Sequence, residues 1–174
     1  VIDTAFPGLS SGQRGILKSA SVRMDYKPSG QTQRNAFQHS MKAPGEDPNK
    51  AKQDTREFMR ERREAAQAAQ GRTAENTSQI SDNALKAAGE AIHPATDATS
   101  PAHVDAKGNP RDWAGIPVVG SGSIDEANAH AAEEASPTPA QMNNAVKAAR
   151  DQFRQVFGGG AVCVEATGSE EACR

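Results

Sequence analysis

Residues 81–97 read SDNALKAAGEAIHPATD, and their apolar positions recur at the spacing of a helix. The positions on the shared face are Ala84, Leu85, Ala88 and Ile92. Ser81 stands just before them, where its hydroxyl can accept a hydrogen bond from a free backbone N–H of the first turn. The stretch therefore predicts a capped amphipathic helix with an inward apolar stripe.

Other segments carry helical signals of the same kind. We expect helices at residues 10–20, 32–42, 47–70 and 124–135, and a last helix that opens with the capping box of residues 138–141 and ends at glycines 158–160. Residues 105–122 are rich in Gly and Pro and predict a long loop around Trp113. Only residues 161–165 have a possible strand pattern. The predicted fold is all-α, a multi-helix bundle with a long Gly/Pro-rich loop and an irregular C-terminal tail.

Composition and charge argue against two classes, dedicated nucleic-acid binders and proteins that span a membrane. A net charge of -2 and a pI near 6.1 do not indicate a dedicated nucleic-acid binder, which would carry a basic stripe. No apolar run approaches the 18 residues of a membrane span, and the first residues do not resemble a signal peptide. We expect residues 1–174 to form one domain, the C-terminal fragment of a longer chain.

Large apolar side chains are scarce, with only five Phe, one Trp and one Tyr. Disorder is one interpretation, although the low net charge argues against it. Metal binding could instead supply part of the folding free energy. Cys163 and Cys173 could form a small disulfide loop or remain free thiols, and the sequence leaves both open.

Three of the four histidines fall in two neighbouring patterns. In each pattern a histidine and a carboxylate are four residues apart, so a helix would present both to one ion. The pairs are His93 with Asp97 and His130 with Glu134. Pro94 should bend the first helix or mark its last irregular turn, and a turn at Pro101 would bring His103 back to the same region. Imidazole and carboxylate ligands without cysteine suit a catalytic zinc site. A single such pair often arises by chance, but two pairs that hold most of the histidines favour metal binding.

The pattern His-x-x-x-Asp-x-x-x-Pro-x-His, followed by His-x-x-x-Glu, resembles the ligand signature of the zinc-dependent bacterial phospholipase C family. That family shares its all-helical fold with the fungal single-strand zinc nucleases. Residues 92–103 (IHPATDATSPAH), residues 36–41 (AFQHSM) and the Pro-x-x-Trp motif at Trp113 also resemble C-terminal toxin domains of Rhs-type polymorphic toxins.

This resemblance implies two zinc ions. One would be held by Asp25, His39, His93 and Asp97, and the other by His103, His130 and Glu134. Asp25 could equally be an ordinary residue before the turn at Pro28. The third zinc site of the family uses a free amino-terminal tryptophan and another early histidine, and neither exists here.

The resemblance further implies that zinc activates water for attack on a phosphodiester, with Asp25 orienting the water or taking its proton. The expected substrate is a phospholipid at a membrane surface. The alternatives are a nuclease acting on single-stranded nucleic acid and a non-catalytic, zinc-stabilised interaction module. An Rhs toxin would also have a parent Rhs shell, a secretion apparatus and a cognate immunity protein. It would be secreted or delivered into a target cell and would act at the membrane or in the periplasm.

Overall fold

The computed structural model describes residues 1–71, 80–116, 122–158 and 166–168. Within these residues it has no β-strand, only three isolated bridges between loop segments. The helices are α1 (Ile2–Ala5), α2 (Ser11–Tyr26), a 3₁₀ helix (Gln33–His39), α3 (Pro48–Gly71), α4 (Asp82–Asp97), α5 (Ile124–Glu134) and α6 (Pro139–Phe157). The described part of the chain is therefore all-α, as predicted. The possible strand at 161–165 and both cysteines, Cys163 and Cys173, lie outside it.

Helix α4 is the central element and packs against α2, α3 and α6. The hydroxyl of Ser81 accepts a hydrogen bond from the backbone N–H of Ala84 at 3.1 Å, so the predicted cap is formed. The predicted stripe is buried throughout. Gly89, also on α4, permits close approach of α2, because a Cβ there would lie 2.7 Å from the carbonyl oxygen of Leu17.

Pro94 lies inside α4, and the helix continues through it to Asp97. The helix therefore does not end at this proline. The carbonyl of Pro94 still accepts the backbone N–H of Ala98 at 3.0 Å. As a result His93 and Asp97 stay one helical turn apart on the same face.

Helix α2 begins where the sequence predicts, at a capping box between Ser10 and Gln13. It then runs on to Tyr26 rather than ending near residue 20, because Met24 continues its buried face. This extension places Asp25 on a helix and not in a turn.

The segment 32–42 is not the predicted α-helix. It forms a shorter 3₁₀ helix that is irregular at Asn35 and ends at His39. The next residue, Ser40, caps it with a left-handed φ of 54°. Contacts with distant elements explain the difference. The hydroxyl of Ser40 donates to the carbonyl of Pro94 at 2.6 Å, and the hydroxyl of Thr55 donates to the carbonyl of Phe37 at 2.9 Å.

The loop that follows α4 is tied to this 3₁₀ region by backbone hydrogen bonds. Lys42 donates to Arg111 at 2.9 Å, and Trp113 donates to Lys42 at 2.7 Å. Arg111 also donates to His103 at 2.8 Å. The described part of the Gly/Pro-rich loop, residues 105–116, is thus held against the segments that carry His39 and His103.

Helices α5 and α6 differ in how they are held. Helix α6 opens with the predicted Thr138–Gln141 capping box, and its Phe153 packs against Phe6 of the α1 end with ring centroids 4.7 Å apart. Helix α5 has its own capping box but no buried residue. No helix in the described part of the chain is long and apolar enough to cross a membrane.

Candidate metal centre

The structure brings the side chains of all seven predicted site residues into one region. They form two adjoining groups, and each group contains three residues whose donor atoms lie within 4.8 Å of one another. The first group is Asp25, His39 and His93, and the second is His103, His130 and Glu134. Asp97 lies between the two groups. Buried histidines and carboxylates in these groups could hold a metal ion.

In the first group three elements contribute one donor each. The Nε2 atom of His93, on α4, lies 2.9 Å from the Nδ1 atom of His39, at the end of the 3₁₀ helix. The Oδ1 atom of Asp25, on α2, lies 3.5 Å from His93 Nε2 and 3.7 Å from His39 Nδ1. Both histidines are buried, while about half of the Asp25 side chain is exposed.

Asp97 supplies a fourth donor to this group. Its Oδ2 atom lies 3.1 Å from His93 Nε2 and 3.6 Å from His39 Nδ1. Two donors bound tetrahedrally to one zinc ion at about 2.0–2.1 Å are separated by about 3.4 Å. The five donor-to-donor distances given for this group range from 2.9 to 3.7 Å, so they lie on both sides of that value.

The same Asp97 oxygen is buried and has no hydrogen-bond partner among the described residues. This oxygen has lost its hydration, and the charge of the nearby histidine rings replaces it only in part, since none of them forms a hydrogen bond with it. A cation bound among these imidazoles would supply the missing interaction. The donor set of the first group therefore fits a metal ion.

The second group joins the loop after α4 to helix α5. The Nε2 atom of His103 lies 2.5 Å from Glu134 Oε1, and His130 Nε2 lies 3.7 Å from Glu134 Oε2. The rings of His103 and His130 have centroids 4.6 Å apart. Trp113 packs on the His130 ring, with the ring centroids 5.1 Å apart.

The remaining nitrogen of His103 is also constrained. Its Nδ1 atom lies 2.5 Å from the backbone carbonyl oxygen of His39. A carbonyl can only accept, so Nδ1 carries a proton. Nε2 faces Glu134, to which it donates while His103 is protonated, and Nδ1 donates to the carbonyl in either state. Metal-binding histidines commonly donate their second ring N–H in this way.

Burial and neighbouring charges set the ionisation of the cluster. Burial lowers the pKa of His93. Burial alone would raise the pKa of Asp97, but His93, His103 and His39 outweigh it and lower that pKa to about 2. Burial alone would lower the pKa of His103, but Asp97 and Glu134 outweigh it and raise that pKa to about 9. The cluster therefore retains an ionised carboxylate among imidazoles.

The groups at the edge of the cluster shift as well. Burial raises the pKa of Asp25, and the carboxylates of Asp97 and Glu134 act in the same direction. Burial and the charge of His103 lower the pKa of His130. The hydrogen bond from His103 is the largest cause of a lowered pKa at Glu134.

Two of the clefts at the candidate metal centre have both Asp97 and Glu134 in their walls. A cleft of about 320 Å³ has Asp25, His93, Asp97 and Glu134 in its wall, together with Lys18 of α2. A smaller cleft of about 140 Å³ shares Asp97 and Glu134 and extends towards α6. The donor groups are thus reachable from solvent on the side where Asp25 is exposed.

Two residues near the cluster were not found from the sequence. Gln31 is buried, and its amide nitrogen lies 3.2 Å from His39 Nε2. Ser40 joins the end of the 3₁₀ helix to α4 through Pro94. Gln31 belongs to no motif or periodic pattern, and the motif at residues 36–41 gives Ser40 no role of its own. Their contacts depend on the tertiary structure.

Comparison with known proteins gives no matching family model, no matching curated protein and no matching solved structure.

Proposed function

We propose that this chain is a zinc-dependent phosphodiester hydrolase. One zinc ion would be held by Asp25, His39, His93 and Asp97, and a second by His103, His130 and Glu134. The observation that carries the proposal is the buried, unpartnered Oδ2 atom of Asp97. It lies 3.1, 3.6 and 3.8 Å from ring nitrogens of three histidines, an arrangement that a bound cation would complete.

The donor chemistry favours zinc or another first-row transition metal over magnesium and calcium. The two groups contain four imidazoles, three carboxylates and no thiolate. Magnesium and calcium prefer oxygen ligands, whereas imidazole with carboxylate suits zinc and other first-row transition metals. Structural zinc sites are usually closed and rich in cysteine, so this donor set favours a catalytic site.

The open cleft also favours catalysis over a closed structural site. Zinc bound here would act as a Lewis acid and would make water a better nucleophile at neutral pH. The half-exposed carboxylate of Asp25 stands at the cleft wall, where it can orient a water molecule or accept its proton. His93 and Asp97 lie deeper and would serve as ligands.

The substrate class rests on the resemblance to the phospholipase C family and to Rhs-type toxins. We therefore propose a phospholipid headgroup at a membrane surface as the first substrate to test. On the same basis, the chain would belong to a longer Rhs protein with its own secretion apparatus. It would be delivered to the membrane or periplasm of a target cell, and an immunity protein would cover the site in the producer.

A nuclease remains the second candidate, and one observation favours it. Tyr26 follows Asp25 and is 79% exposed, so it could stack on an unpaired base. Trp113 is packed against His130 and is not available for stacking.

The test is metal analysis of the purified protein combined with hydrolysis assays on phosphatidylcholine, phosphatidylethanolamine and single-stranded DNA. We expect about two zinc ions per chain, by the ligand count of a four-coordinate site. Lipid cleavage should disappear in His93→Ala and in His130→Ala. Cleavage of DNA alone would identify the nuclease, and a folded protein that binds no zinc would overturn the proposal.

Helix α5 offers a matched control. Glu133 and Glu134 are adjacent, but Glu133 pairs with Arg111 at 2.9 Å while Glu134 faces His103. We expect Glu134→Gln to weaken zinc binding to the second group and Glu133→Gln to leave it unchanged. Equal effects of the two changes would count against Glu134 as a ligand.

A further inference from the structure

His39 differs from His103 in what its second ring nitrogen contacts. The Nδ1 atom of His39 faces the first donor group, and its Nε2 atom faces the amide of Gln31 at 3.2 Å. Gln31 is 8% exposed and lies in the segment just before the 3₁₀ helix. Its backbone carbonyl accepts the N–H of Ile116 at 3.2 Å, which anchors the residue to the Gly/Pro-rich loop.

Which ring nitrogen of His39 carries the proton decides whether its Nδ1 atom can bind a metal ion. Neutral imidazole carries one proton, so a free lone pair on Nδ1 requires the proton to be on Nε2. That Nε2–H is buried and needs an acceptor. The carbonyl oxygen of the Gln31 amide would be that acceptor if the amide were rotated by half a turn, a change that preserves the shape of the side chain.

The other orientation of the amide fits the protein without a metal ion. The amide nitrogen of Gln31 lies 3.5 Å from the carbonyl oxygen of Met24 and 3.2 Å from His39 Nε2, so both can act as acceptors. The proton of His39 is then on Nδ1. From there it can be donated to His93 Nε2, 2.9 Å away.

We propose that Gln31 is a positioning residue that sets the tautomer of His39. Its amide donates to Nε2 in the metal-free protein and accepts from Nε2 when Nδ1 holds the metal ion. An amide can do both because it contains a donor and an acceptor, whereas a hydrocarbon side chain can do neither. This inference rests on the proposed metal site and adds the group that controls one of its ligands.

His103 provides an internal reference. Its Nδ1 atom faces the backbone carbonyl of His39, which only accepts, so the proton stays on Nδ1 in both states. The two histidines therefore hold opposite tautomers in the zinc-bound protein. In that state His39 carries its proton on Nε2 and His103 carries its proton on Nδ1.

Nuclear magnetic resonance tests this directly. The full chain, labelled with ¹⁵N-histidine, is recorded at neutral pH before and after addition of zinc, using long-range ¹H–¹⁵N correlations that identify each tautomer. We expect the proton of His39 to move from Nδ1 to Nε2 on zinc binding, while His103 keeps the proton on Nδ1 and gives up the one on Nε2 that faces Glu134. A zinc-bound His39 with its proton on Nδ1 would overturn the inference.

Two substitutions supply an independent readout. Gln31→Leu removes the acceptor and should weaken zinc binding to the first group by about 10–100-fold. Gln31→Glu retains an acceptor for Nε2–H and should restore binding. Zinc affinity that is the same in wild type and Gln31→Leu would refute the role of Gln31 and leave the metal site standing. Failure of the wild type to bind zinc would instead refute the proposed function. If Gln31→Leu does not fold, the tautomer measurement on the wild type decides the question.

Discussion

The Nδ1 atom of His103 lies 2.5 Å from the backbone carbonyl oxygen of His39. One residue therefore serves both donor groups, since the side chain of His39 belongs to the first group and its carbonyl orients a donor of the second. The backbone at residues 39 and 40 must be held accurately for both groups to form. Ser40 holds it, through a left-handed φ of 54° and a hydrogen bond from its hydroxyl to Pro94.

Substitutions at Ser40 should separate these two contributions. Ser40→Ala loses the hydrogen bond, leaves a buried carbonyl without this donor and keeps a side chain at positive φ, so we expect a loss of ~2 kcal/mol in unfolding free energy. Ser40→Gly loses the same bond but adopts the left-handed conformation readily, so it should be less destabilised. Urea unfolding of both variants measures the difference. A glycine variant that is no more stable than the alanine variant would show that the backbone conformation is not strained.

How much of this site the sequence predicts depends on how far apart along the chain the contacting residues lie. His93 with Asp97 and His130 with Glu134 follow from the period of a helix, which is local, so the pattern identifies them. The caps at Ser81 and Thr138 are local for the same reason. The contact between His103, in the loop after α4, and Glu134 of α5 joins positions 31 residues apart and is not local, and no helical period specifies it.

The 3₁₀ region shows why the rest could not be predicted. Residues 32–42 have an acceptable helical pattern, but the hydrogen bond between Ser40 and Pro94 joins positions 54 residues apart. Tertiary contacts of this kind override local preference. The extension of α2 could have been predicted from the sequence, because Met24 stands four residues after Ala20 and continues its buried face. That signal would have placed Asp25 on the helix without any resemblance.

Helix α5 should depend on the metal for its order. It has no buried residue. Its contacts with the rest of the described chain include the ion pairs of Glu133 and Glu134 and the packing of the His130 ring on His103. A helix with so little apolar burial opens at low free energy unless a ligand holds it. We expect zinc to slow hydrogen exchange in α5 by at least about tenfold, since its two ligands are then bound.

The amides of α4 serve as the control for this measurement. Helix α4 is buried along its length and should exchange slowly with or without zinc. Equal exchange in α5 before and after zinc addition would mean that the second group does not bind the ion.

The contact between α2 and α4 should be sensitive to a single methyl group. A Cβ at Gly89 would lie 2.7 Å from the carbonyl of Leu17 and 2.8 Å from the Cβ of Ala20, so Gly89→Ala must push the helices apart. We expect it to destabilise the protein by ~1–3 kcal/mol despite the better helix propensity of alanine. It should also weaken zinc binding to the first group, because α2 carries Asp25 and α4 carries His93.

Gly15 is the matched control on α2. A Cβ there meets nothing within 4 Å, so Gly15→Ala should leave zinc binding unchanged and raise stability by up to ~1 kcal/mol. Thermal unfolding and zinc titration of both variants give the comparison. A neutral Gly89→Ala would show that the helices are less closely packed than their backbone contact indicates.

As the pH rises above 6.5, the stability of the metal-free protein should fall, whereas the stabilisation by zinc should grow. The pKa of His103 in the folded protein is raised to about 9 from an ordinary value of 6.5, so protonated His103 stabilises the metal-free protein below pH 6.5. That contribution is lost as the pH rises through 9. The pKa of Asp97 is lowered to about 2 from 3.8, so its contribution is present above pH 3.8 and is lost only as the pH falls through 2.

Zinc must displace the proton from His103 Nε2 before it can bind there. Below the pKa of His103, the apparent zinc affinity of the second group should therefore rise about tenfold per pH unit for each proton released. We expect the melting temperature in chelator to fall between pH 6.5 and 8.5 and the stabilisation by saturating zinc to grow over the same interval. His103→Gln removes the titrating group and should flatten both trends. Parallel melting curves in chelator and in zinc would show that His103 does not exchange its proton for a metal ion.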